Sequence, residues 1–192
     1  MSLFRMSEVL KKAQTKPLYK SATRILSEGS RSFSEEKSYD IFLSHSFTDA
    51  DAIYGVKSLI EEMGYEVYVD WIEDSDLDRK KVTKETAALI KARISACRSL
   101  FFATSDASPN SKWMPWELGY FDGLKSKVAI LPVIKKEEKT DNYVGQEYLG
   151  LYPYVSKDPP QSKSEDTLWI HYSLDIYVRF DEWLKGQLPR KH

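Results

Sequence analysis

From residue 38 onward, compact apolar runs of strand length alternate with longer stretches whose apolar residues recur three and four positions apart. Residues 39–44, YDIFLS, form the first run, continuous enough for a central parallel strand buried on both faces. The polar loop His45-Ser46-Phe47-Thr48-Asp49 follows, with Thr48 placed to cap a helix and Asp51 three residues on. That helix carries Ile53, Val56, Leu59, Ile60 and Met63 on one stripe and stops at Gly64. Residues 66–71 predict a second strand through Val67, Val69 and Trp71. Residues 72–82, acidic and then basic, predict a solvated loop. Thr83 opens a helix with Ala87, Ile90, Ile94 and Cys97 at helical spacing. Residues 100–104 (LFFAT) and 128–134 (VAILPVI) are further buried strands, and between them a helix begins near Trp113 with Pro115 in its first turn. Residues 148–155 predict a fifth strand, interrupted by Pro153 and so near a sheet edge. Residues 168–172 add a short strand, and Ser173 caps a last helix bearing Leu174, Tyr177, Phe180, Trp183 and Leu184.

Alternating strands and helices predict an α/β fold, a mostly parallel five-stranded sheet covered by helices on both faces. Ligands of such sheets bind beyond the carboxyl ends of the strands, where strand order reverses. The loop 45–49, the loop after Trp71 and the loop after Thr104 then surround one cleft, and Glu117 sits early in the helix that leaves it. Residues 1–36, richer in Lys and Arg than in acids, read as a basic helical extension, and residues 37–192 as the domain with its C-terminal strand and helix.

Composition narrows the chemistry. A chain of 192 residues fits one domain plus an appendage, and 42% hydrophobic residues supply a core. With 28 basic against 29 acidic side chains, the net charge of −1 offers no field for gripping nucleic acid. No apolar run is long enough to span a membrane, and a cytoplasmic setting is the simplest expectation. The one cysteine, Cys97, excludes an internal disulfide and a cysteine metal cage. The three histidines show no ligand spacing, so no metal is expected. Neither a P-loop nor a dinucleotide-binding glycine fingerprint is present, so no bound cofactor is expected either.

The informative stretch is residues 108–123, SPNSKWMPWELGYFDG, in which Trp113 and Trp116 precede Glu117 and a Leu-Gly step follows it. A glutamate near a helix N-terminus is favoured by the helix dipole alone. The wider pattern resembles the TIR domains: YDIFLSHSFTDAD is similar to their first box, GYEVYVDW to their second strand, SPNSKWMPWELGY to their S-x-W-x-x-x-E-L helix and VAILPVI to their fourth strand. The extended form ELGYFDGL…VAILPVI…EYLGLYPYV most resembles bacterial TIR-like proteins, above all the TIR component of the Thoeris anti-phage system.

The resemblance implies a flavodoxin-like TIR fold and two alternative activities. One is a non-catalytic adaptor that docks through surfaces such as residues 72–82. The other is cleavage of the nicotinamide–ribose bond of NAD, with NAD as substrate and Glu117 as the catalytic carboxylate. Its product would be a cyclic ADP-ribose isomer that activates a separate NAD-consuming effector, under a phage-derived trigger. A deoxyribosyltransferase, which breaks another N-glycosidic bond on a related fold, is a third class. Ser46, Phe47, Asp70, Trp71 and Trp113 are expected around the substrate, with Glu85 a second acidic candidate at the rim. His45 and the charged, glycine-free loop after Trp71 depart from the family pattern. Acidic Glu73, Asp74, Asp76 and Asp78, followed by Arg79, Lys80 and Lys81, suit head-to-tail self-association. No membrane or nucleic-acid partner is expected.

Overall fold

The computed structural model describes residues 2–15, 38–46, 50–73, 82–104, 111, 113–135, 142–145, 147–160 and 165–192, with the backbone alone at Trp71 and Glu73. Strand β1 (Phe4–Arg5) leads into helix α1 (Met6–Thr15). The alternating unit follows as β2 (Tyr39–Ser44), α2 (Ala50–Glu62), β3 (Val67–Tyr68), the short α3 (Asp70–Glu73), α4 (Lys84–Ser95), β4 (Cys97–Thr104), α5 (Trp113–Lys125) and β5 (Val128–Ile134). A 3-10 helix (Glu147–Leu151), β6 (Tyr154–Asp158), β7 (Thr167–Ser173), β8 (Ile176–Arg179), α6 (Phe180–Leu184) and β9 (Arg190–Lys191) complete the described chain.

The order β3-β2-β4-β5-β6 is parallel throughout, and β7, β8 and β9 extend it antiparallel. The chain runs outward from β2 to β3 and then returns to β4 on β2's other side, so strand order reverses between β2 and β4. This is the flavodoxin-like arrangement, with its ligand crevice at the carboxyl ends of those two strands. The described sheet has nine strands against the expected five. The excess is β7, which the run 168–172 anticipates beyond the parallel five, and β1, β8 and β9, none of which has the continuous apolar run of a central strand.

Alternation along β2 divides the core. Ile41 and Leu43 face α1, α2 and α6, whereas Phe42 packs on the other side with residues of α4 and α5. Strand β5 is buried at all seven positions, as its unbroken apolar run requires. Gly64 ends α2 with φ +91°, the left-handed conformation that a helix stop needs. Thr83 caps α4 by accepting the Thr86 N–H. The Thr48 cap lies outside the described residues.

Several boundaries depart from the sequence expectation. The second strand stops at Tyr68, and Asp70 and Trp71 belong to a helical turn. Cys97 begins β4 instead of closing the α4 stripe, and burial pushes its thiol well above the ordinary range. Residues 147–151 form a 3-10 turn and the fifth strand starts after Pro153, which cannot donate to a ladder. Ser173 ends a strand and opens a hairpin, and its hydroxyl donates to Asp175 at 2.6 Å. Residues 176–179 are therefore a strand, and the last helix is confined to Phe180–Leu184.

Residues 2–15 share the domain's own sheet and core. Phe4 and Arg5 pair with Val133 and Ile134 of β5, and Ser2 exchanges two backbone hydrogen bonds with Lys157 of β6. Helix α1 buries Val9 and Ala13 against α2. A Cβ on Gly55 would lie 1.9 Å from the Val9 carbonyl oxygen, so only glycine permits that approach.

Candidate functional site

The site forms where β2 ends and α5 begins. Ser44 is the last residue of β2, its Cα paired with Phe102 of β4, and it follows Phe42 on the side of the sheet that α5 covers. Helix α5 starts just after Ser111, whose Oγ accepts the Met114 N–H. Pro115 sits in the first turn, where its missing N–H removes no helical bond. One turn on, Glu117 points into the protein with no solvent exposure. The Ser44 hydroxyl donates to Glu117 Oε2 at 2.6 Å in a buried contact. A bond that short fixes the orientation of the carboxyl group at the strand-order reversal.

Beside this pair lies a second buried polar contact. His45 Nδ1 stands 2.8 Å from the Leu43 carbonyl oxygen, and His45 Nε2 faces Asp70 Oδ1 at 3.5 Å. Asp70 opens α3, the turn after β3, so the contact ties the ends of β2 and β3 together. Both residues are 3% exposed or less.

Of the expected site residues, Glu117 is buried against Ser44 at the end of β2, and Asp70 lies in the turn beyond β3, buried against His45. Ser46 is partly buried directly after β2. Phe47 lies outside the described residues, and Trp71 is described by its backbone alone. Trp113 is buried, its ring edge-on to Trp116 at 5.4 Å. Glu85 is exposed in the first turn of α4, where its own backbone N–H and the Thr83 hydroxyl hold its carboxyl below the usual range. That is a capping interaction. The residue missed by sequence reasoning is Ser44: Ser46, the residue named in its place, has the same parity with Phe42, so strand alternation does not separate the two. Among the described residues no group of three or more His, Cys, Asp or Glu side chains is placed to hold a metal, and no helix is long and apolar enough to cross a membrane.

No protein-family model matches the chain. It is 57% identical over 164 residues to a protein of Bacillus cereus (strain MSX-D12) named "Probable 3' cyclic ADP-D-ribose synthase ThsB'", an alignment that covers 85% of this chain and 84% of that one. It is also 34% identical over 92 residues to a Cytobacillus dafuensis protein named "Putative cyclic ADP-D-ribose synthase TIR2", covering 47% of this chain and 24% of that one.

Proposed function

The chain belongs to the family of ThsB-like TIR proteins, and on that premise we propose that it is an NAD-processing enzyme of the cyclic ADP-ribose synthase type with Glu117 as its catalytic carboxylate. The observation that carries the reading is the placement of one buried carboxylate, oriented by Ser44, at the strand-order reversal of the sheet.

The chemistry suits a single carboxylate. When the bond between the ribose C1′ and the nicotinamide nitrogen breaks, its electron pair neutralises the pyridinium, so the leaving group requires no proton. Positive charge develops at C1′ and the ring oxygen, as in glycoside cleavage. Glu117 answers that charge electrostatically in a water-poor surrounding, where the effect is largest. A hydroxyl of the adenosine ribose then bonds to C1′ and releases its proton, giving a cyclic product; such an acceptor agrees with the "3' cyclic" product in the Bacillus cereus relative's name. Ser46, Phe47 and Trp71 are assigned to the rim that binds NAD and excludes water.

Glu117 is fully enclosed, so NAD reaches it only after the shell around it moves. Activity is accordingly conditional on a trigger or on self-association through the charged segment 73–81. The cyclic product serves as a messenger to a separate effector in anti-phage defence. The decisive experiment incubates the full chain with NAD, in buffer and in lysate of phage-infected cells, and follows nicotinamide release and product mass. A product lighter than ADP-ribose by one water is expected. Intact NAD under both conditions would overturn the reading.

A further inference from the structure

Ser44 can hold Glu117 only while its own backbone is held, and the reaction above gives no role to the two buried ionisable groups beside it, His45 and Asp70. The Leu43 carbonyl can only accept, so the His45 nitrogen 2.8 Å away, Nδ1, carries a proton and donates. That bond runs from the residue after Ser44 to the residue before it and closes a ring around the Ser44 backbone. With Nδ1 protonated, a neutral imidazole would aim its Nε2 lone pair at Asp70 Oδ1, 3.5 Å away. Facing lone pairs on buried groups are costly, so the contact is favoured as an ion pair, one too long for a hydrogen bond. The imidazole is thereby held by a hydrogen bond at Nδ1 to β2's own backbone and by an ion-pair contact at Nε2 with the turn after β3.

We propose that His45 and Asp70 are positioning residues for the reaction: the clamped imidazole fixes the Ser44 backbone and so keeps its hydroxyl on Glu117. This rests on Glu117 being the reactive carboxylate. It assigns Asp70 to the support of the site instead of to contact with NAD. His45→Asn separates the two contacts, because an asparagine amide can donate to the Leu43 carbonyl from near the Nδ1 position but cannot reach Asp70. His45→Ala removes both, and Asp70→Asn keeps a neutral donor for Nε2.

The test uses the full-length protein under conditions that support NAD cleavage. His45→Ala should lower kcat at least about tenfold, the scale expected when a reactive group is misplaced by a fraction of an ångström. Its KM should change less than about threefold, since substrate contacts are retained. His45→Asn should recover part of the lost kcat, the share carried by the bond to the Leu43 carbonyl. A core-packing role would give no such rescue. Independently of turnover, side-chain ¹⁵N signals of His45 at neutral pH should report a protonated Nδ1, and they should shift in Asp70→Ala. A folded His45→Ala protein with unchanged kcat, or equal kcat losses in the two His45 variants, would overturn the positioning role. If His45→Ala does not fold, a loss of kcat in folded Asp70→Ala, restored in Asp70→Asn, takes its place, and an unchanged kcat counts against the idea. Nitrogen signals insensitive to Asp70→Ala would remove the clamp itself. Absence of NAD cleavage by the wild type would sink the Glu117 reading and the catalytic role with it, while the nitrogen shifts would still decide the clamp.

Discussion

The Ser44 hydroxyl meets the Glu117 carboxylate at 2.6 Å with both groups buried, joining the end of the central strand to the helix that follows its neighbour. Removing the hydroxyl strands part of a buried carboxylate without its donor. Ser44→Ala should therefore cost about 1–3 kcal/mol of stability, the usual range for an orphaned buried acceptor. It should also lower NAD turnover at least about tenfold, because the carboxylate loses its orientation. Urea denaturation and initial-rate kinetics on the same preparation check both effects.

Glu117→Gln keeps the shape of the side chain and removes its charge. The variant should fold, accept the Ser44 hydrogen bond through its amide oxygen, and lose more than about 99% of NAD cleavage, the scale of a lost electrostatic stabiliser. Nicotinamide release measured under the conditions that activate the wild type is the readout. Full turnover by a folded Glu117→Gln protein would remove Glu117 from the chemistry.

The contact between α1 and α2 gives a prediction about the N-terminal segment. Because an added Cβ at Gly55 would press on the Val9 backbone, Gly55→Ala should force the two helices apart. The cost should be about 1–3 kcal/mol, typical of overpacking a filled core, despite alanine's better helix propensity. Thermal melts of Gly55→Ala beside an exposed control such as Gly123→Ala, which meets nothing, provide the comparison.

His171 makes stability depend on pH. Burial lowers its pKa from 6.5 to about 4, while Ser156 Oγ lies 2.8 Å from its Nε2 and the Tyr154 ring stacks on it at 5.0 Å. The unfolded chain therefore binds a proton between pH 6.5 and about 4 that the folded chain refuses. The stabilisation is fully present above pH 6.5, falls as pH drops through that window, and levels off below about 4. The loss should reach up to about 3 kcal/mol, from 1.36 kcal/mol per pKa unit. Denaturant melts at intervals across the window should show this slope, and His171→Gln should flatten it. An equal slope in the variant would place the proton elsewhere.

Much of this architecture is written in local pattern. The runs 39–44 and 128–134 are strands at those bounds, short and largely apolar as a strand buried on both faces of a parallel sheet requires. Thr83 and Gly64 mark helix ends through chemistry confined to a few residues: a hydroxyl that caps, and a backbone free to turn left-handed. The strand–helix alternation carries the flavodoxin-like topology.

Tertiary structure decided what depends on partners distant in sequence. Residues 176–179 have helical spacing yet form a strand, since β7 and β9 offer backbone partners on both sides. The basic N-terminal segment enters the sheet because β5 leaves Val133 and Ile134 available to Phe4 and Arg5, and because Gly55 lets α1 approach α2. No local signal distinguishes Ser44 from Ser46. The sequence alone placed Glu117 early in the helix that follows β4. Which hydroxyl holds it, and that an imidazole and Asp70 flank that hydroxyl, follows only when β2, β3 and α5 converge, for a hydrogen bond spanning 73 residues leaves no periodicity in the chain.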